Sequence, residues 1–222
     1  MGQEQNTVET SEFKELEAEM SMRFEGIEKL HITSTNYLKN LAKKREGDDK
    51  EKVLLVQQCG NAMASHGSQF EHESALGQGL LKLGMAHQKI AKAQESFTNV
   101  ATDTWVESLE RSLRQMKEYQ AARRKLETRR LNYDSSLTKA QKAKKEDFRL
   151  DEELRSQKFK YEESCEDVTR RMTEIQDTEA GTLEDLTLLF EAEITYFDQC
   201  RDTLLQIQSS WPNTYASVPK FC

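Results

Sequence analysis

The chain has 222 residues and a net charge of −7, with 32% charged and 36% hydrophobic side chains and only two prolines and nine glycines. It is too charged for a compact α/β globule and too periodic for a disordered chain, and it suits long helices that each bury one narrow stripe. No run of about 18 apolar residues occurs, which excludes a membrane-spanning helix from the expected elements.

The start, MGQEQNTVET, has neither an apolar signal core nor an arginine-rich transit character, so a cytosolic location is expected. Asn6 stands where a myristoylation signal wants Ser or Thr, and lipidation is not expected. A polar segment covers residues 1–11. Helix one is predicted over about 10–72, with the seam Phe13, Leu16, Met20, Phe24 and Ile27 continuing through Leu38 and Leu41. REGDDKE (45–51), carrying Gly47, interrupts it near 46–50. The glycine-bearing stretch HESALGQGLLKLG (72–84) joins it to helix two, predicted over about 78–145. From Gly84 to Gly181 there are 96 residues without Gly or Pro, which argues for very long helices. Helix two carries Val106, Leu109, Leu113, Met116, Leu126, Tyr133 and Leu137 at helical steps. Helix three, about 148–209, carries Leu154, Tyr161, Cys165, Val168, Met172 and Ile175. Its seam changes phase near Asp177 to Gly181, which predicts a bend, and resumes at Leu183, Leu186, Phe190, Ile194, Phe197 and Leu204. Pro212 and Pro219 end helical structure, leaving 210–222 as a linker or tail.

A helix of 60 residues spans about 90 Å, so three of them form an antiparallel coiled-coil rod rather than a ball. Such a rod leaves apolar surface that dimerisation would cover. No repeat of solenoid length appears. Cys59, Cys165, Cys200 and Cys222 show no paired spacing and read as reduced thiols.

The charge is unevenly placed. The window 111–145 holds twelve basic and three acidic residues, a balance of +9, against −16 for the rest of the chain. Lys139, Lys142, Lys144 and Lys145 crowd the end of helix two, and Asp151, Glu152 and Glu153 open helix three. The sign change follows helix polarity, with cations at a C-terminus and acids at an N-terminus, so it marks a hairpin. The surplus of lysine does not follow from polarity. One reading is a solvated face paired with acidic neighbours; the other is an anion-binding surface. Nucleic acid is not expected, because no aromatics interleave with the basic residues. An anionic lipid surface fits, each cation near it contributing about 1 kcal/mol. No phosphate loop, nucleophile elbow or zincin motif occurs. Cys59, His66 and His72 lack the spacing of a metal site, and Glu152 and Glu153 face different ways. No enzymatic activity, metal or cofactor is expected.

RRKLETRRLNYD (123–134) followed by DEELRSQKFKYEES (151–164) resembles the second and third helices of endophilin-type BAR domains, in detail most like fungal relatives. FEAEITYFDQCRDTLLQIQ (190–208) and ESALGQGLLKLGMAHQKIAKAQ (73–94) extend the resemblance, which covers about 12–209. It implies an all-α fold forming a crescent-shaped homodimer around a central six-helix bundle. The early seam of helix one (Phe13, Leu16, Met20, Phe24, Ile27) would meet the end of helix three (Phe190, Ile194, Phe197) at the dimer interface. It implies binding to anionic phospholipid membranes, and sensing or imposing of curvature in endocytosis or vesicle trafficking. Lys139, Lys142, Lys144 and Lys145 match the family's lysine-rich tip, and Arg123, Arg124, Lys125, Arg129 and Arg130 match basic positions of its second helix. Endocytic protein partners would bind through regions outside this chain. Residues ahead of Phe13 have no apolar face, so insertion from that end is not expected. The insert-like stretch 46–68 begins acidic, and strong lipid contact there is not expected. The alternative is a coiled-coil scaffold that binds a protein such as a small GTPase without strong lipid affinity.

Overall fold

The computed structural model describes residues 10–46, 51–143 and 147–212. The polar segment up to residue 9, Gly47, Lys144, Lys145, and the tail from 213 including Pro219 and Cys222 lie outside the described residues. Six α-helices and a small β-hairpin follow in order: α1 Ser11–Leu41, β1 Lys44–Glu46, β2 Lys52–Leu54, α2 Leu55–Gly67, α3 Ala75–Ala101, a π-helical turn Thr102–Val106, α4 Glu107–Lys142, α5 Phe148–Asp177 and α6 Glu179–Gln208. They divide into two units, one of residues 1–31 and 108–183, the other of residues 32–107 and 184–222.

In the first unit α1, α4 and α5 pack as a three-helix bundle. Thr10 caps α1 by accepting the Phe13 amide at 3.2 Å, and Asp147 caps α5 by accepting the Arg149 amide at 3.0 Å. Contacts of Glu17 with Arg123 and His31 with Glu110 run α1 antiparallel to α4. Contacts of Arg171 with Glu118 and Arg129 with Glu163 run α4 antiparallel to α5. The core is Met20, Met116, Tyr119, Ala122, Leu126, Val168, Met172 and Ile175. Three of its centre side chains are methionines, whose unbranched thioethers fill the irregular space between three helices. Phe13, Leu16, Phe24 and Ile27 pack against this core.

The early seam expected at a dimer interface packs, within the chain itself, against this core. Met20 is fully enclosed by its own chain and has no surface to offer a partner. Phe13, Leu16, Phe24 and Ile27 are partly buried against the same core and keep part of their surface exposed.

In the second unit the end of α1 lies antiparallel to α3, with the Gln94 amide donating to the Leu41 carbonyl at 2.6 Å and Trp105 Nε1 donating to Ser34 Oγ at 3.1 Å. Leu38, Phe97, Ala101 and Val106 form the core, covered by Leu41, Leu189, Ala192 and Tyr196. Phe97 and Tyr196 stack at 5.3 Å, and burial pushes the Tyr196 phenol up to about 12. The interruption near 46–50 is flanked by a paired hairpin, Lys44 opposite Leu54 and Glu46 opposite Lys52. Buried Leu54 and the Lys44–Glu95 ion pair at 2.6 Å anchor it.

Two details depart from the periodicity. The π turn at 102–106 inserts an extra residue: Thr102 and Thr104 hydroxyls donate to the carbonyls of Thr98 and Val100 at 2.7 and 2.8 Å, which loosens the regular ladder there. The helix-three break falls at Thr178, whose hydroxyl donates to the Ile175 carbonyl at 2.7 Å. Gly181 lies inside α6.

Candidate functional site

The basic residues of α4 separate into two sets by what they touch. Arg129 sends one guanidinium nitrogen to Glu163 at 2.6 Å, to the Lys160 carbonyl at 2.8 Å and to Ser164 Oγ at 2.9 Å. Arg130 holds Glu127 at 2.7 Å and Asp134 at 3.9 Å. Arg123 bonds Glu17 of α1, lies 3.6 Å from Glu127, and sits over the Phe13 ring. Arg123 and Arg129 tie α4 to α1 and α5, while Arg130 pairs along α4 itself, so the charge of all three is neutralised where it stands.

Arg114, Lys117, Arg124, Lys125 and Lys142 are exposed and make no ion pair among the described residues. Lys139 is exposed and reaches Glu153 at 3.8 Å, a loose surface pair. At 100° per residue these six cations fall within an arc of about 100°, opposite Met116, Tyr119, Ala122 and Leu126. From Arg114 to Lys142 the stripe runs about 42 Å. The α4 acids in that span, Glu118, Glu127 and Asp134, all lie outside the arc. Lysines 139 and 142 also suit the negative end of the α4 dipole. Arg114 and Lys117 escape a reading that looks for clusters, because they are spaced along the chain. Plotting unpaired cations at helical steps would have found them.

The paired acids carry a pH consequence. The Arg23 guanidinium beside Glu19 and the Arg130 guanidinium beside Glu127 hold both carboxyls below their usual 4.5. A depressed folded pKa contributes stability above the unfolded value and loses it as pH falls through the folded one. The melting temperature is therefore expected to fall as pH drops below about 4.5, and Glu127→Gln should flatten part of that fall in thermal scans followed by circular dichroism.

A second feature lies on α6, which has no fully buried residue. Leu189, Ala192 and Tyr196 face the core. A separate stripe of Leu183, Leu186, Phe190, Ile194, Phe197, Leu204 and Leu205 is exposed, with Phe190 at 61% and Phe197 at 58%. Among the described residues no group of three His, Cys, Asp or Glu could hold a metal ion. No helix there is long and apolar enough to cross a membrane. Cys59 is exposed, and His66 packs edge-on against Phe70 at 5.0 Å.

The BAR domain matches residues 1–213, and the chain belongs to that family. It is 39% identical over 198 residues to the Meiotically up-regulated gene 137 protein of Schizosaccharomyces pombe, covering 89% of this chain and 47% of that protein. It is 24% identical to Endophilin-A2 of Rattus norvegicus, covering 93% of this chain and 59% of that one. With Endophilin-B1 of Homo sapiens it shares 28% identity, over 71% of this chain and 45% of that one. The chain thus spans about half the length of the relatives it matches. The family is one of membrane-curvature scaffolds.

Proposed function

We propose that this chain is a homodimeric scaffold that lies peripherally on anionic membranes and senses or imposes their curvature in endocytosis or vesicle trafficking. The observation that carries the reading is the stripe of Arg114, Lys117, Arg124, Lys125, Lys139 and Lys142, whose positive charge the fold leaves almost wholly unspent. Interior needs do not account for it: the bundle takes its interhelical ion pairs from Arg123, Arg129 and Arg171 instead. A second copy would cover the exposed apolar stripe of α6, because an apolar band of that length in water otherwise remains a liability.

The test is co-sedimentation with phosphatidylserine-rich vesicles. Each cation near an anionic surface contributes about 1 kcal/mol, so reversing Lys117, Arg124 and Lys125 to Glu should weaken binding by well over a hundredfold at low salt. Reversing Lys142, Lys144 and Lys145 should act similarly, and binding by the parent should fall steeply with salt. Arg129→Gln should lower stability and leave vesicle binding nearly unchanged. Undiminished binding by both triple reversals would overturn the reading. Failure of the parent to bind at low salt, with capture of a small GTPase, would favour a protein-binding scaffold.

A further inference from the structure

The outer side of α5 carries an aromatic face that its own unit leaves bare. Phe148 is 79% exposed and Phe159 69%, the two most exposed large apolar side chains among the described residues. They stand eleven residues apart, which is three turns, about 16 Å, and only about 20° of rotation. Glu152 and Arg155 lie between them, both exposed and without an ion pair among the described residues. The four side chains occupy an arc of about 60°, and Ser164, Val168, Met172 and Ile175 mark the buried side of α5 opposite. The Asp147 cap fixes the first turn, so Phe148 is held in this face by the helix itself.

We infer that this face pairs with the same face of a second copy, antiparallel, about a two-fold axis passing between Glu153 and Leu154. The arrangement is self-complementary under that operation. Phe148 meets the other copy's Phe159, Glu152 meets the other copy's Arg155, and the same two contacts recur in the opposite sense, as an isologous interface requires. Two aromatic contacts and two ion pairs result from four residue positions. Charge does not favour a lipid occupant: Glu152 and Arg155 cancel within the face, so an anionic surface gains no net attraction there. The neighbouring acid Glu153 is engaged with Lys139 and Ser136, so it does not compete for Arg155.

Four phenyl rings and four charges cover much less than the roughly 1,000 Å² of a stable interface. The contact is therefore weak in solution and gains strength where copies share a surface. Its face lies on a different helix from the α4 cation stripe, so both can be engaged together. If α6 also pairs as proposed above, each copy holds two partners; that extension rests on the proposed dimer, whereas the α5 pairing does not.

Sedimentation equilibrium of the full chain, at concentrations reaching about 1 mM, reads the contact directly. The parent should show an association step beyond its resting state. Arg155→Glu and Glu152→Arg should each weaken that step about tenfold or more, because each sets like charges face to face. The exchange Glu152→Arg with Arg155→Glu keeps the net charge and should restore it to within about threefold. Phe148→Ser with Phe159→Ser should abolish it, with helicity by circular dichroism unchanged because all four side chains are exposed. On phosphatidylserine vesicles the parent and the exchange variant should bind with a sigmoidal concentration dependence, the single reversals with a hyperbolic one. Absence of the association step in the parent, or failure of the exchange to restore it, overturns the pairing. Loss of all vesicle binding with the solution step intact overturns the membrane reading and leaves the pairing standing.

Discussion

Phe190→Glu combined with Phe197→Glu should convert the proposed dimer to a monomer, read as a halved mass in size-exclusion chromatography with light scattering. Both rings belong to the exposed stripe of α6, at 61% and 58% exposure, and neither contributes to the core formed by Leu38, Phe97, Ala101 and Val106. The stripe from Leu183 to Leu205 runs about 33 Å along one side of the helix. Covering a large apolar side chain contributes about 1.5–3 kcal/mol, and two-fold symmetry counts every substitution twice. Four buried rings lost and four carboxylates introduced should weaken the dimer by at least about a thousandfold. The helical signal should persist, since these positions are open within the chain. Phe13→Glu offers the contrast. Phe13 packs against the three-helix core, under the Arg123 guanidinium, so its loss should lower the melting temperature without halving the mass. An unchanged mass for the α6 double variant would remove the case for that stripe as the dimer surface. The monomer should also bind vesicles more weakly, because one stripe of α4 would then act alone.

The outcome at Phe13 and Phe190 shows what helical spacing can and cannot convey. A step of three or four says that a side chain faces another helix; it does not say whether that helix belongs to the same chain. The early seam and the α6 stripe have the same periodicity, yet Met20 is enclosed by α4 and α5 while Ile194 is 45% exposed. Charge has the same limit. Arg123, Arg124 and Lys125 are consecutive, but Arg123 points to Glu17, 106 residues away, and the other two remain unpaired among the described residues. Only the helix packing distinguishes them. A local break was legible where composition changes sharply, as at REGDDKE, whereas Gly77, Gly79 and Gly84 of the expected join lie inside α3. The break at Thr178 and the π turn at 102–106 depend on threonine hydroxyls competing for carbonyls three or four residues back. That competition has no compositional mark. Gly181, near which the spacing predicts a bend, is accommodated within a helix.

Glycine at two positions should respond to alanine or valine with opposite signs, and the second large effect lies there. α2 buries only Gly60 and Gly67, and it does so against the backbone of α3. A Cβ on Gly84 would stand 2.6 Å from both the Ala64 amide nitrogen and the Gly60 carbonyl oxygen. A Cβ on Gly60 would meet the Gly84 carbonyl at 2.7 Å and the His87 Cβ at 2.8 Å. The obstacles are mostly main-chain atoms, so no rotamer change relieves them and the two helices must move apart. Overpacking of this kind costs about 1–3 kcal/mol, more for a β-branched side chain in a helix. Alanine recovers about 1 kcal/mol of that through helix propensity. Gly84→Ala should therefore be mildly destabilising, and Gly84→Val should lose on the order of 3 kcal/mol, about 6–12 °C in melting temperature for a chain of this size. Gly181 has no atom within 4 Å of where its Cβ would stand. Gly181→Ala should keep the full propensity gain and raise the melting temperature by about 2–4 °C. Calorimetry on the three variants decides the matter. A Gly84→Val protein that melts with the parent would mean that α2 is not held against α3 at backbone distance.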